Sequence, residues 1–127
     1  MKKLLILLFS ILISFNSYGD SSDKTICVET DNQIICKYEN GQIKSEENYK
    51  DDKQDGKWTY WHKNGQIQQE GNYKDDKQDG KWTSWHKNGQ KSEERDYKDN
   101  KLDGKWTSWH ENGQIQQEGN YKDGKAD

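Results

Sequence analysis

Three histidines, six tryptophans and two cysteines give this chain most of its chemical reach. His62, His86 and His110 recur at intervals of 24 residues. Imidazole is the commonest protein metal ligand, so a histidine column is the first possibility to weigh. Equivalent positions two strands apart in a sheet are about 9.6 Å from each other, at roughly 4.8 Å per strand. Zn–N bonds are about 2.1 Å long, so neighbouring imidazoles would have to lean far together. The expectation is a surface or aromatic-stacked histidine, with no metal site and no cofactor.

Asp51-Asp52-Lys53-Gln54-Asp55-Gly56 resembles the opening of a calcium loop. Such a loop needs an oxygen ligand at its third position and a bidentate Glu at its twelfth. Lys53 and His62 stand there instead. A solvated turn is the better reading. Catalysis needs a unique set of converging groups. Here nearly every candidate acid, base or hydroxyl returns every 24 residues, so no enzyme activity is expected.

Cys27 and Cys36 are expected to form a disulfide. They flank Asp31-Asn32, which reads as a two-residue turn between Thr25-Ile-Cys-Val-Glu-Thr and Gln33-Ile-Ile-Cys-Lys-Tyr. That register sets the two cysteines opposite each other on a non-hydrogen-bonded pair. Cα atoms there are about 4.5 Å apart, within disulfide range.

The tryptophans come in pairs: Trp58 and Trp61, Trp82 and Trp85, Trp106 and Trp109. Strand alternation puts the two members of a pair on opposite faces. Trp58, Trp82 and Trp106 are read as structural aromatics, with Tyr49, Tyr73, Tyr97 and Tyr121. Trp61, Trp85 and Trp109 would form an aromatic ladder on the other face. Exposed aromatic patches mark binding sites, so this row is the candidate binding surface.

The elements that hold these residues follow from the repeat. Asn40-Gly41-Gln42, Asn64-Gly65-Gln66, Asn88-Gly89-Gln90 and Asn112-Gly113-Gln114 set a 24-residue period. The units are residues 40–63, 64–87 and 88–111, with a partial unit at 112–127. Lys57 to His62 is rich in strand formers. Asn64-Gly65 is a strong hairpin signal, and Gln66 to Tyr73 is read as the returning strand. Lys74 to Gly80 is read as a longer polar loop closed by Asp79-Gly80. Two hairpin registers are open. A two-residue turn pairs His62 with Ile67, Tyr60 with Gln69 and Trp58 with Gly71. A three-residue turn with a bulge pairs Trp61 with Ile67. The first is favoured, because Gly71 would leave room for the Trp58 ring, although Glu47 takes that position in the first unit.

Residues 20–39 fit the same frame as a capping hairpin, with Cys36 at the Tyr60 position and Ile34 at the Trp58 position. Terminal repeats lack one neighbour, and a disulfide closing this small loop adds roughly 2–3 kcal/mol by the chain-entropy estimate. The expected fold is all-β: an extended antiparallel β-hairpin array of about nine strands, a single-layer, solenoid-like meander.

Residues 1–19 read as a signal peptide: Lys2 and Lys3, then the apolar run Leu4 to Phe15, then Ser17-Tyr18-Gly19 before a cleavage point. The apolar run is shorter than the roughly 20 residues of a spanning helix. This reading gives a periplasmic or secreted protein with no membrane insertion after cleavage. Without Lys2 and Lys3 the chain has 18 basic and 23 acidic residues, a net charge of −5. That balance argues against nucleic acid and anionic lipid. After residue 36 the aliphatic side chains are Ile43, Ile67, Leu102 and Ile115, plus Ala126. A conventional core is out of reach, and aromatic rings must supply the burial.

The entry Asp55-Gly56-Lys57-Trp58, the hairpin Tyr60-Trp61-His62-Lys63-Asn64-Gly65-Gln66 and the exit Tyr73-Lys74-Asp75 resemble the MORN repeat family in its bacterial variant form. Counterparts recur at Asp79 to Gln90 and Asp103 to Gln114. The resemblance implies an extended β-hairpin array that is generally non-enzymatic. Many bacterial variant-repeat chains carry the label of antitoxin component, which implies protein binding here and a neutralised partner. The expected function is an exported protein-interaction or scaffold module with a protein partner. The alternatives are a module that binds cell-wall polysaccharide through the Trp ladder, and an antitoxin or immunity-type protein.

Overall fold

The computed structural model describes residues 24–127. The signal-peptide reading lies outside these residues. The described chain forms one sheet of ten strands: β1 (Ile26–Glu29), β2 (Gln33–Lys37), β3 (Ile43–Lys50), β4 (Lys53–Trp61), β5 (Ile67–Lys74), β6 (Lys77–Trp85), β7 (Lys91–Lys98), β8 (Lys101–Trp109), β9 (Ile115–Lys122) and β10 (Lys125–Ala126). Every neighbouring pair is antiparallel and the spatial order follows the chain. This is the expected hairpin meander, grown one strand at a time.

Two kinds of turn alternate. At Asn64-Gly65 the Gly65 N–H donates to His62 O at 2.9 Å and the His62 N–H donates to Gln66 O at 2.8 Å. Gly65 is left-handed, with φ 87°, and Asn64 is not. This is the three-residue turn, a type I turn followed by a left-handed glycine. The favoured two-residue turn is therefore corrected. Trp61 pairs with Ile67, and a register shift then restores Tyr60 with Gln69 and Trp58 with Gly71. The shift absorbs the residue that separates the two registers, so each describes part of the hairpin.

The second turn also differs from the expectation. Lys74 to Gly80 is not a long loop. Lys74 pairs with Lys77, and Asp75 and Asp76 form a two-residue turn at φ 47° and 66°. Both central residues of a type I′ turn need positive φ, and Asp tolerates that region. Asp51-Asp52, Asp99-Asn100 and Asp123-Gly124 repeat it. Asp79-Gly80 lies inside β6, beside a register shift between Glu70 and Asn72.

Trp58 and Trp82 are the buried apolar residues, at 5% and 4% exposure, and no described side chain is fully buried. Burial comes from rings lying along one face. Thr59, Thr83 and Thr107 are buried on the other face. Ile26 and Val28 on β1 stay exposed.

Candidate functional site

The aromatic face is assembled across strands. The Tyr73 ring stands between Trp58 and Trp82, with centroids 4.8 and 5.1 Å away. Tyr49 extends the row at 5.4 Å from Trp58. Indole N–H groups need a partner when buried. Trp58 Nε1 donates to Asn48 O at 2.9 Å, and Trp82 Nε1 donates to Asn72 O at 3.2 Å. The Trp82 ring lies directly on Gly71.

The third unit breaks this pattern. Arg95 stands where Gly71 stands in the second unit and pairs in register with both Trp82 and Trp106. Trp106 Nε1 donates to the Glu93 carboxylate at 2.7 Å, and Arg95 Nη2 reaches the same oxygen at 2.6 Å. Arg95 Nη1 approaches the Tyr97 hydroxyl at 3.3 Å. Tyr97 thus meets a guanidinium, and Trp106 is only half-buried. Tyr121 packs on Trp106 at 6.3 Å. Burial alone would pull the Arg95 guanidinium down, but its bonds to Tyr97 and Glu93 outweigh that and raise it. Burial raises the Glu47 carboxyl and, with it, the Tyr49, Tyr60 and Tyr73 hydroxyls.

Trp61, Trp85 and Trp109 are half-buried. Alternation along β4, β6 and β8 sets them on the face opposite Trp58, Trp82 and Trp106. Their backbone is fixed by the preceding unit. The Tyr38 hydroxyl donates to Trp61 O at 2.7 Å, and Nε2 of His62 and of His86 lies 3.1 and 2.9 Å from the carbonyls of Trp85 and Trp109. A carbonyl only accepts, so each Nε2 carries a proton. Beside each tryptophan lies a charge pair on the same face: Lys57 with Glu70, Lys81 with Glu94 and Lys105 with Glu118, at 3.1, 3.7 and 3.5 Å. The three lysines are 61%, 60% and 65% exposed. A hydrogen bond from Lys91 is the main reason the Glu94 carboxyl is lowered, and Lys91 Nζ also sits 6.0 Å from the Trp109 ring centre.

The face is therefore a row of half-exposed indoles set beside a row of lysine–glutamate pairs, repeating once per unit. Sequence reasoning found the indoles and missed the pairs. Their signal was the Lys and Glu that recur 13 residues apart in successive units.

The units also interlock at both edges. Asn64 Nδ2 donates to Lys87 O, and Asn88 Nδ2 to Glu111 O, both at 2.9 Å. At the other edge the Asp76 N–H donates to Gln54 O at 3.0 Å, and Asp76 Oδ1 accepts from the Gln54 N–H at 2.7 Å. Asn100 and Gln78 do the same. The Cys27–Cys36 disulfide is formed, with Cα atoms 4.0 Å apart. Among the described residues no group of three His, Cys, Asp or Glu is placed to hold a metal ion, and no helix is long and apolar enough to cross a membrane. A shallow groove of about 590 Å³ at the Asp-turn edge is lined by Asp51, Asp55, Tyr73, Asp75 and Asp79 with lysines. It does not include the tryptophan row.

No curated protein matches this chain. A solved structure titled as accessory secretory protein 1, 2 and 3 of Streptococcus pneumoniae is similar over 92% of this chain, at 17% identity and a TM-score of 0.34. This chain spans 23% of that one, and the likeness carries no argument. The MORN repeat variant model matches four times, at residues 33–51, 54–75, 78–99 and 102–123. Each match takes in the strand before an Asn-Gly turn and the strand after it. The chain belongs to the MORN repeat variant family.

Proposed function

We propose that this protein is a non-catalytic interaction module whose contact surface is the face bearing Trp61, Trp85 and Trp109. The observation that carries this reading is their arrangement: three half-exposed indoles, each beside an exposed lysine of a Lys–Glu pair. Aromatic anchors within a charged rim are the usual composition of a protein-binding patch. The backbone behind them is locked by Tyr38, His62 and His86, so little ordering is lost on binding. His62 and His86 act here as staples between units. The disulfide supports an oxidising, exported setting.

The partner is proposed to be a protein, and an antitoxin or immunity-type role is the finer form of the same reading. The test is crosslinking and titration with the chain from Asp20 to Asp127. One stoichiometric protein partner is expected, with binding lost in the Trp61, Trp85 and Trp109→Ala variant while its fold is retained. Saturable binding to purified cell-wall polysaccharide, lost in the same variant, would transfer the surface to glycan. Toxicity of the captured partner, relieved by co-expression, would establish the finer role.

A further inference from the structure

The four Asn-Gly turns share one sequence but not one set of bonds. Asn-Gly is the dipeptide most open to intramolecular deamidation. The glycine nitrogen attacks the asparagine Cγ, the Cγ–Nδ2 bond breaks and ammonia leaves. Water then opens the cyclic imide at either carbonyl, giving aspartate or isoaspartate. The reaction needs the side-chain amide free to turn onto the following nitrogen.

In the folded chain that freedom is graded. Asn64 Oδ1 accepts from the Gln66 N–H at 3.0 Å, and its Nδ2 donates to Lys87 O at 2.9 Å. Asn88 is held the same way by Gln90 and Glu111 O, each at 2.9 Å. Asn40 makes both bonds too, with a longer 3.3 Å reach to Lys63 O. Asn112 has the local bond from Gln114 at 3.0 Å. Its Nδ2 donates to no carbonyl among the described residues. The neighbouring staple follows the same series: Nε2 of His62 and of His86 meets a carbonyl of the next unit, whereas that of His110 meets none among the described residues.

We infer that Asn112 is a site of spontaneous deamidation and that the inter-unit hydrogen bonds shield Asn64 and Asn88 from the same chemistry. Loss of the shield has a structural consequence. Aspartate at a shielded position replaces a donor with a carboxylate facing a carbonyl oxygen, which neither group can satisfy. Deamidation of an inner turn therefore unfastens that unit from the next.

The experiment ages the oxidised 127-residue chain at mildly alkaline pH and follows each turn by peptide mass mapping, with isoaspartate measured separately. Asn112 is expected to convert about fivefold faster than Asn64 or Asn88, the factor that one net hydrogen bond sets on local opening. In denaturant the four turns should react at one rate. His62→Ala, which cuts the staple beside Asn64, should speed Asn64 and leave Asn112 unchanged. Equal rates at Asn64, Asn88 and Asn112 in the folded chain would overturn the inference. So would an unchanged Asn64 rate in folded His62→Ala.

Discussion

Gly71 lies so close beneath the Trp82 ring that a Cβ on Gly71 would stand 2.1 Å from Trp82 Cδ2. Gly71 pairs in register with Trp58, yet the ring that covers it comes from the following strand. A real Cβ does not tolerate that distance, so Gly71→Ala must displace the indole. Overpacking of this kind costs about 1–3 kcal/mol. At Gly119 the nearest ring atom to a Cβ is Trp106 Cε3 at 3.9 Å, an ordinary contact. Gly119→Ala should therefore be near neutral. Denaturant unfolding of the two variants reads the difference, and equal losses would contradict the close contact.

The histidines are expected to act as fasteners. His62→Ala and His86→Ala each remove a bond to a carbonyl of the next unit. Each should cost about 1 kcal/mol from the hydrogen bond alone. His110→Ala should cost less, because its ring meets no such carbonyl among the described residues. Thermal melting of the three single variants tests the ranking.

The aspartate turns combine positive φ with a bond to the previous unit. Asp76 sits at φ 66° and accepts from the Gln54 N–H at 2.7 Å. Asp76→Ala keeps the strained backbone and loses the bond. The expected loss is about 1–2 kcal/mol, seen as a lower unfolding midpoint. Asp76→Gly should fall between alanine and wild type, since glycine relieves the backbone term alone.

The disulfide should stabilise only its own end of the array. Cys27 and Cys36 close a loop between β1 and β2, worth roughly 2–3 kcal/mol by loop entropy. Strands touch mainly their sequence neighbours, so the effect should fade along the array. In Cys27→Ser/Cys36→Ser, amide exchange should quicken in β1 and β2 and stay unchanged in β6 to β8. Uniform acceleration would mean that the sheet unfolds as one unit.

Glu47 gives a pH signature. Burial raises its carboxyl above the ordinary range, although Tyr49 and Ser45 hydrogen bonds pull the other way. A raised folded value means that the folded state holds its proton more tightly than the unfolded chain. The stabilisation is complete below the unfolded carboxylate value and is lost as pH rises through the folded one. Glu47→Gln should therefore raise the melting temperature at neutral pH. The gain should shrink as pH is lowered through the carboxylate range. A gain that does not vary with pH would contradict the raised carboxyl.

The sequence by itself determined what depends on neighbours along the chain. The 24-residue period, strand alternation, the opposite faces of Trp58 and Trp61 and the Cys27–Cys36 pairing all follow from short spacings. So did the all-β meander, because each strand needs only the one before it. Tertiary structure decided what depends on contacts between units. Asp75-Asp76 reads as loop by composition, but the Gln54 backbone on β4 of the preceding unit receives it and fixes a tight turn. The hairpin register was ambiguous by one residue, and a bulge beyond the turn lets each candidate pairing hold over part of the strand. The ring over Gly71 proved to be Trp82, since an indole leans across strands and linear spacing does not give the direction of lean. The lysine–glutamate rows and the histidine staples join residues 13 and 23 positions apart, which only strand stacking brings together.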